Sequence, residues 1–373
     1  MTASPDSSTL RASRWEYGSQ VHLARVDPAR PVQERPWGST HLLLGCARDA
    51  LRLLAPGIGR LWMPSYICQE VVGAALAAGL EVCCYPDSPL DAWPDLAALP
   101  LRPRDAVYLV NYFGLRCQRP IALGPEVILI EDHTHDPCSS WASGSSADFC
   151  LASFRKLYPL PDGAVLWSPQ QHALPVQPRV SRELDGASAD RLRGMELKAR
   201  YLRGAQVRKQ AFRDILDRGE AQFCQGSPSG QTDYSRSLLA SFPLQAWRQD
   251  RRARYQRLAA HLPAEPGFRV LPPEADSLAP FSGLVVFDSE QRAARVKDGL
   301  IARGIYPSRL WPLDVPLLPG VPEIHRELSR RAFSVHLDMR YSLDDVDRVV
   351  RAFSEVWSSI RTAGDPRRES AQK

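Results

Sequence analysis

The sequence predicts an α/β protein: a large domain on a mainly parallel sheet, followed by a small α+β domain at the carboxy-terminal end. Three observations carry this. Between about His41 and Trp167, apolar runs of strand length alternate with helical patterns, as expected where helices cover a parallel sheet. From Ser181 to Phe223 the composition turns Arg- and Glu-rich at helical spacing, then breaks at the turn-rich GSPSGQTDYS. At 373 residues, the chain also exceeds the ~250–300 residues at which a single core stops growing. The expected organisation is an amino-terminal arm over 1–40, a large α/β domain over 41–235, a small α+β domain over 236–361 and a frayed polar tail over 362–373.

The elements follow in order. LLLGCARDALRLLAPG carries apolar residues at helical spacing after Gly45 and stops at Pro56-Gly57, where proline cannot continue a helix. GRLWMP is a short strand, and CQEVVGAALAAG is a helix with Gly79 as its C-terminal cap. LEVCCYP, DAVYLVNYFG and EVILIED are apolar runs ended by polar or turn residues, as in buried parallel strands, and FCLASF and GAVLW add two more. At least six strands are therefore expected before residue 170. Beyond the break, a long helix around Ser237 to His261 leads to a strand (FSGLVVFDS), a helix (EQRAARVKDGLIARG), a strand (AFSVHLDM) and a final helix (SLDDVDRVVRAFSEVWSSI). The Pro-rich LWPLDVPLLPGVP reads as a surface loop.

Composition removes several classes of function. With 44% hydrophobic and 24% charged residues, the chain reads as globular rather than fibrous or disordered. A net charge of +5 is small for this length and makes no case for nucleic acid; the basic run Arg248 to Arg257 reads as the polar side of a helix. The start lacks the pattern of a secretory signal, and no stretch of ~18 apolar residues occurs, so no membrane association and a cytoplasmic setting are expected. Eight cysteines without a C-x-x-C pair, several of them inside apolar runs, read as reduced and mostly buried.

Only five of the 47 basic residues are lysines, and Lys156 is the only lysine among the first 197 residues. Arginine replaces lysine as a surface cation but not as a nucleophilic amine. In open α/β sheets, ligands sit beyond the carboxyl ends of the strands. Asp132 follows one strand run, Ser153-Phe154-Arg155-Lys156 follows another, and Cys46-Ala47-Arg48 opens the first helix, where amide groups can hold an anion. A carboxylate, a lysine and an anion cradle suit pyridoxal phosphate: the lysine binds the aldehyde, the carboxylate pairs with the ring nitrogen, and amides and hydroxyls, including that of Ser153, hold the phosphate. A competing reading makes Asp132, His133, His135 and Asp136 metal ligands; without a further cluster at ligand spacing, no metal is expected. Tyr112 either lines a substrate pocket or packs in the core. Arg155 either balances the phosphate or caps a strand, and Arg340 either holds a carboxylate or forms a salt bridge.

CARDALRLL, MPSYICQEVVGAALAAGLEV, VNYFGL, VILIEDHTH and the DGAVL after the lysine together resemble the DegT/StrS family of pyridoxal-phosphate-dependent sugar aminotransferases, of fold type I. The resemblance covers about Leu44 to Trp167. It implies a PLP-transferase-like large domain with Lys156 as the aldehyde-binding lysine, Asp132 as the ring-nitrogen partner, and the Ala47 and Arg48 amides with Ser153 at the phosphate. It places His135 where the family has a glutamine contacting the ring hydroxyl, and Tyr66 or Cys68 near the position of the ring-stacking aromatic. The approach S-F-R-K is shorter than the family's usual one. QTDYS stands where a neighbouring subunit supplies an asparagine, which offers Asp233 or Ser235.

What the resemblance implies is a homodimeric aminotransferase. An amino acid such as glutamate would be its donor and a nucleotide-linked keto sugar its acceptor, in polysaccharide or secondary-metabolite biosynthesis. The alternatives are another pyridoxal phosphate reaction, an acceptor that is not a sugar, and a non-catalytic regulatory relative.

Overall fold

The computed structural model describes residues 13–18, 20–24, 35–38, 40–223, 226–262 and 264–363. A two-residue strand, β1 (Tyr17–Gly18), precedes the main sheet. The apolar runs of the large domain form seven strands: β2 (His41–Leu44), β3 (Arg60–Pro64), β4 (Glu81–Tyr85), β5 (Ala106–Val110), β6 (Ile128–Asp132), β7 (Phe149–Ser153) and β8 (Ala164–Trp167). Their order across the sheet is β2-β8-β7-β6-β5-β3-β4. From β4 to β7 all neighbours are parallel.

The seventh strand, β2, is the one that sequence reading assigned to the run-in of a helix. Four residues alternating half-buried and buried give too little pattern to separate it from the helical spacing that follows. The sheet also departs from parallel at this edge, where β8 runs antiparallel to both β7 and β2. The connection 154–163 that follows β7 is too short for a crossover, so the chain must return antiparallel. That connection carries Lys156.

Helices α1 (Arg48–Leu54), α2 (Gln69–Ala77) and α3 (Ser140–Ser143) lie between these strands. Next come α4 (Arg182–Leu202) and α5 (Lys209–Gln222), packed closely against each other. A Cβ at Gly194 would fall 2.5 Å from Leu216, and one at Gly219 would fall 2.7 Å from Arg191, so neither position has room for a side chain. The single helix expected around 237–261 is two, α6 (Asp233–Ser241) and α7 (Leu244–His261). Pro243 separates them, because it has no N–H to continue the ladder.

The carboxy-terminal strands β9 (Phe268–Val270), β10 (Ser282–Phe287) and β12 (Ala332–His336) form an antiparallel sheet in the order β12-β10-β9. Helices α8 (Glu290–Ile301), α9 (Glu323–Arg330) and α10 (Leu343–Ala363) accompany it, and β11 (Ile305–Tyr306) pairs in parallel with β1. This sheet has its own core, with Phe287, Val296, Leu337 and Phe353 buried at or near zero exposure.

The cysteines differ from expectation. Cys46 is disulfide-bonded, while Cys68, Cys83, Cys84, Cys117, Cys138 and Cys150 are free, and of these six only Cys138 and Cys150 are buried. Cys224 lies outside the described residues, as do residues 364–373 of the expected tail.

Candidate functional site

The parallel strands end together. Val110 of β5 pairs in register with Asp132 of β6, and Asp132 with Leu151 of β7, so the residues beyond all three strands share one edge of the sheet. A cavity opens there, lined by Cys46, Ala47, Arg48, Cys68, Asp132 and His135 and by Ser153, Arg155 and Lys156. Nine residues proposed from sequence thus meet on one surface.

Lys156 ends a 3-10 turn (Phe154–Lys156) that continues directly from β7. Its side chain retains accessible surface because it projects into the cavity, although protein surrounds it. Burial, and next the neighbouring Arg155 guanidinium, push its amine below the usual lysine range; Glu220 opposes this. A lysine so placed loses its proton, and becomes nucleophilic, more readily than one in water.

Asp132 is held by two donors: Tyr108 Oη–H reaches Oδ2 at 2.7 Å and Thr134 N–H reaches Oδ1 at 2.8 Å. Thr134 Oγ1 accepts in turn from the Ser153 amide at 3.0 Å, tying the carboxylate loop to the lysine turn. His135 is buried, and its Nδ1 accepts from the Phe113 amide at 2.9 Å, which assigns its proton to Nε2. Burial, with Lys156 adding to it, lowers its pKa to about 3, so the ring is neutral near pH 7. Trp311 stacks on it with centroids 5.3 Å apart and Phe113 at 5.0 Å. Phe113 and Trp311, which also touch each other with centroids 6.0 Å apart, both have positive φ, +52° and +57°. Bulky residues rarely adopt this conformation, and such strain gathers at functional sites.

The cavity is also lined by cations. Arg155 donates to Glu220 at 2.7 and 3.3 Å, and Arg191 donates to the same carboxylate at 2.8 Å. Arg48 lies 3.8 Å from it and bonds Glu70 at 2.7 Å. The Arg155 guanidinium sits 4.0 Å over the Phe223 ring. The cap reading of Arg155 therefore gives way to a role in this cluster.

Five candidates lie elsewhere. Tyr66 is buried beneath the cavity, its hydroxyl donating to the Leu310 carbonyl, so Cys68 rather than Tyr66 faces the open space. Tyr112 is a core residue whose hydroxyl donates to the Tyr66 carbonyl at 2.6 Å. Asp233 is exposed at the start of α6 and pairs with Arg236 at 2.7 Å, whereas Ser235 donates to the buried Asp162 at 2.6 Å. Arg340 is locked on Asp338 at 2.6 and 2.7 Å and does not line the cavity; the salt-bridge reading holds.

The metal reading does not survive the geometry either, since Asp132, His133, His135 and Asp136 take separate partners. His133 Nε2 bonds Glu131 at 3.0 Å, and Asp136 is bound by Arg248 and Arg251. Among the described residues, Glu131, His133 and Cys150 do approach one another within 4.8 Å. Ser145 already donates to that Glu131 oxygen at 2.7 Å, so Glu131 is engaged by protein donors.

Sequence reading missed Glu220, Trp311, Phe281 and Tyr108, all of which line the cavity. Glu220 reads as the polar side of a helix and Trp311 as part of a proline-rich loop. The one local hint at Trp311 is a large aromatic beside proline.

No protein-family model and no curated protein matches the chain by sequence. Solved structures match throughout its length. The aminotransferase TlmJ from Streptoalloteichus hindustanus is similar at a TM-score of 0.58 and 18% identity, over 86% of this chain and 87% of that one. Spr1654 from Streptococcus pneumoniae, solved in its PLP form, gives 0.62 and 12%, over 93% and 100%. DesI, solved in the presence of its TDP-sugar product, gives 0.55 and 20%, over 87% and 83%. At these identities the likeness establishes the fold: the chain folds as the fold-type-I aminotransferases do.

Proposed function

We propose that this protein is a pyridoxal-phosphate-dependent aminotransferase. It would move an amino group from an amino acid, glutamate foremost, to a keto sugar carried on a nucleotide, in polysaccharide or secondary-metabolite biosynthesis. The observation that carries the reading is the convergence of Lys156 and Asp132 on one cavity that Arg48 and Arg155 also line. The donor set fits the cofactor: a primary amine whose pKa burial lowers, an oriented carboxylate, and guanidinium groups for a phosphate. The cofactor, when bound, supplies an aldehyde that captures amines and an electron-poor ring that stabilises a carbanion.

The chain's residues then divide the work. Lys156 Nζ would hold the cofactor's aldehyde and is the amine in this cavity that could move a proton at the substrate carbon. Asp132 would pair with the ring nitrogen, and His135, which lines the same cavity, would face a ring oxygen. Ser153, with the Ala47 and Arg48 amides and Arg155, would take the phosphate. The sugar acceptor rests on the structural neighbours, DesI among them. We extend the proposal to a cytoplasmic homodimer in which 41–235 forms the cofactor-binding domain and 236–361 the small one, with exposed Asp233 available to a second copy.

The test is a half-reaction. Cofactor-loaded protein given glutamate and no acceptor should lose its visible absorption band and release one equivalent of 2-oxoglutarate. Absence of any keto acid, with glutamate and with a panel of other amino acids, would contradict transamination and favour another pyridoxal phosphate reaction or a non-catalytic role.

A further inference from the structure

Glu220 is the one acidic side chain among the arginines at the cavity that takes both donors of Arg155. It belongs to the last turn of α5. A carboxylate in that position faces the negative end of the helix dipole, an unfavourable placement that needs another reason. The reason visible here is the cations: Arg155 and Arg191 donate to it at 2.7–3.3 Å, and Arg48 is 3.8 Å away. Arg155 cannot swing aside, because its guanidinium lies on the Phe223 ring. Arg191 is fixed by its Nε bond to the Pro161 carbonyl at 2.9 Å. Glu220 is different: its side chain is 43% exposed, with a way out to solvent.

We infer that Glu220 is a resident counter-anion: its carboxylate occupies the arginine seat that a phosphate monoester takes, and it is displaced when that phosphate binds. The inference rests on the proposed cofactor only for the identity of the phosphate. Arg155 presents two parallel N–H groups, a fork that matches a carboxylate and a phosphate alike. Since both are on Glu220, an incoming phosphate that uses this fork competes with it. The seat therefore never leaves the Arg155 and Arg191 guanidinium groups without a counter-anion in the empty protein, and phosphate affinity is lowered by the competition. Gly219 makes the arrangement possible: a Cβ there would collide with the Arg191 side chain and the Ala187 carbonyl, so only glycine lets α5 approach closely enough to deliver the next residue.

The experiment compares wild type, Glu220→Gln and Glu220→Asp as full-length apo-protein. Pyridoxal phosphate is titrated by visible absorption, and inorganic phosphate by the shift in melting temperature. Glu220→Gln should bind pyridoxal phosphate about tenfold more tightly. Glu220→Asp, whose shorter side chain withdraws the carboxylate, should fall between the two. Inorganic phosphate should raise the melting temperature of Glu220→Gln more than that of wild type, and Arg155→Met in the Gln background should abolish the gain. Equal or weaker binding of both ligands by Glu220→Gln would overturn the inference, because Glu220 would then be organising the arginines rather than competing for them. If wild type shows no Lys156-dependent band, the cofactor reading fails, and the phosphate arm still decides the inference.

Discussion

Two buried arginine–carboxylate centres, built from the same residue types, behave differently. At one, Asp338 grips Arg340 through both oxygens, and the remaining donors are spent on backbone: Arg340 Nη1 and Lys198 Nζ both bond the Gln20 carbonyl of the amino-terminal arm. Tyr17 stacks on Tyr341 beside it, with centroids 3.9 Å apart. None of these groups lines the cavity, and the centre fastens the arm to α4 and the carboxy-terminal sheet. At the other, Glu220 is shared among three arginines, remains 43% exposed, and opens on the cavity that holds Lys156. Buried ion pairs are weak evidence of stability and weaker evidence of function. What separates a site from a fastening here is an opening to solvent and an excess of cation around the carboxylate.

The comparison breaks first at the closed centre. Asp338→Ala leaves Arg340 buried without its carboxylate and should cost about 3–5 kcal/mol in urea unfolding, while pyridoxal phosphate binding at Lys156 stays intact. Loss of cofactor affinity at unchanged stability would merge the two centres.

Acidity distinguishes them next. Burial, then Arg340, lowers Lys198 to about 7. Its unfolded value is the ordinary one near 10.4, so between those limits the unfolded chain binds the extra proton. Stability should therefore rise from pH 7 towards 10, by roughly 2–3 kcal/mol over two pH units, and Lys198→Met should flatten the rise. On the acid side, His22 and His336, lowered to about 3 and about 4 by burial and then Arg340, stay neutral while the unfolded chain protonates near 6.5. Arg340 holds Asp338 well below the usual carboxylate range. The histidine shifts remove stability as pH falls below 6.5, and the Asp338 shift as it falls below about 4, which denaturation curves at pH 3, 4 and 6 would register. The smallest effect is at the helix junction: Gly219→Ala should cost about 1–2 kcal/mol and displace Glu220, moving phosphate affinity the same way as Glu220→Gln.

The residues legible in sequence were those whose position is set locally. Asp132 and Lys156 stand directly after strand runs, and the edge of a parallel sheet is where a chain presents such side chains. Glu220 and Trp311 reach the cavity by long-range packing, the first through the close approach of α4 and α5, the second through a proline-rich loop with a strained backbone. Nothing in a window of ten residues carries that information. Arg340 shows the converse: its neighbour two residues before it, Asp338, was the relevant signal for a closed pair. β2 was lost for brevity, and the break between α6 and α7 for want of weight given to Pro243.

Lys156 and Lys198 are both enclosed amines with lowered pKa, but only Lys156 faces the cavity. Borohydride reduction of the protein incubated with pyridoxal phosphate, followed by peptide mass spectrometry, therefore tests the central claim directly. A single pyridoxyl group on Lys156, absent from Lys156→Ala, is the predicted result. Labelling of Lys198 instead, or no stoichiometric labelling of Lys156, would contradict it.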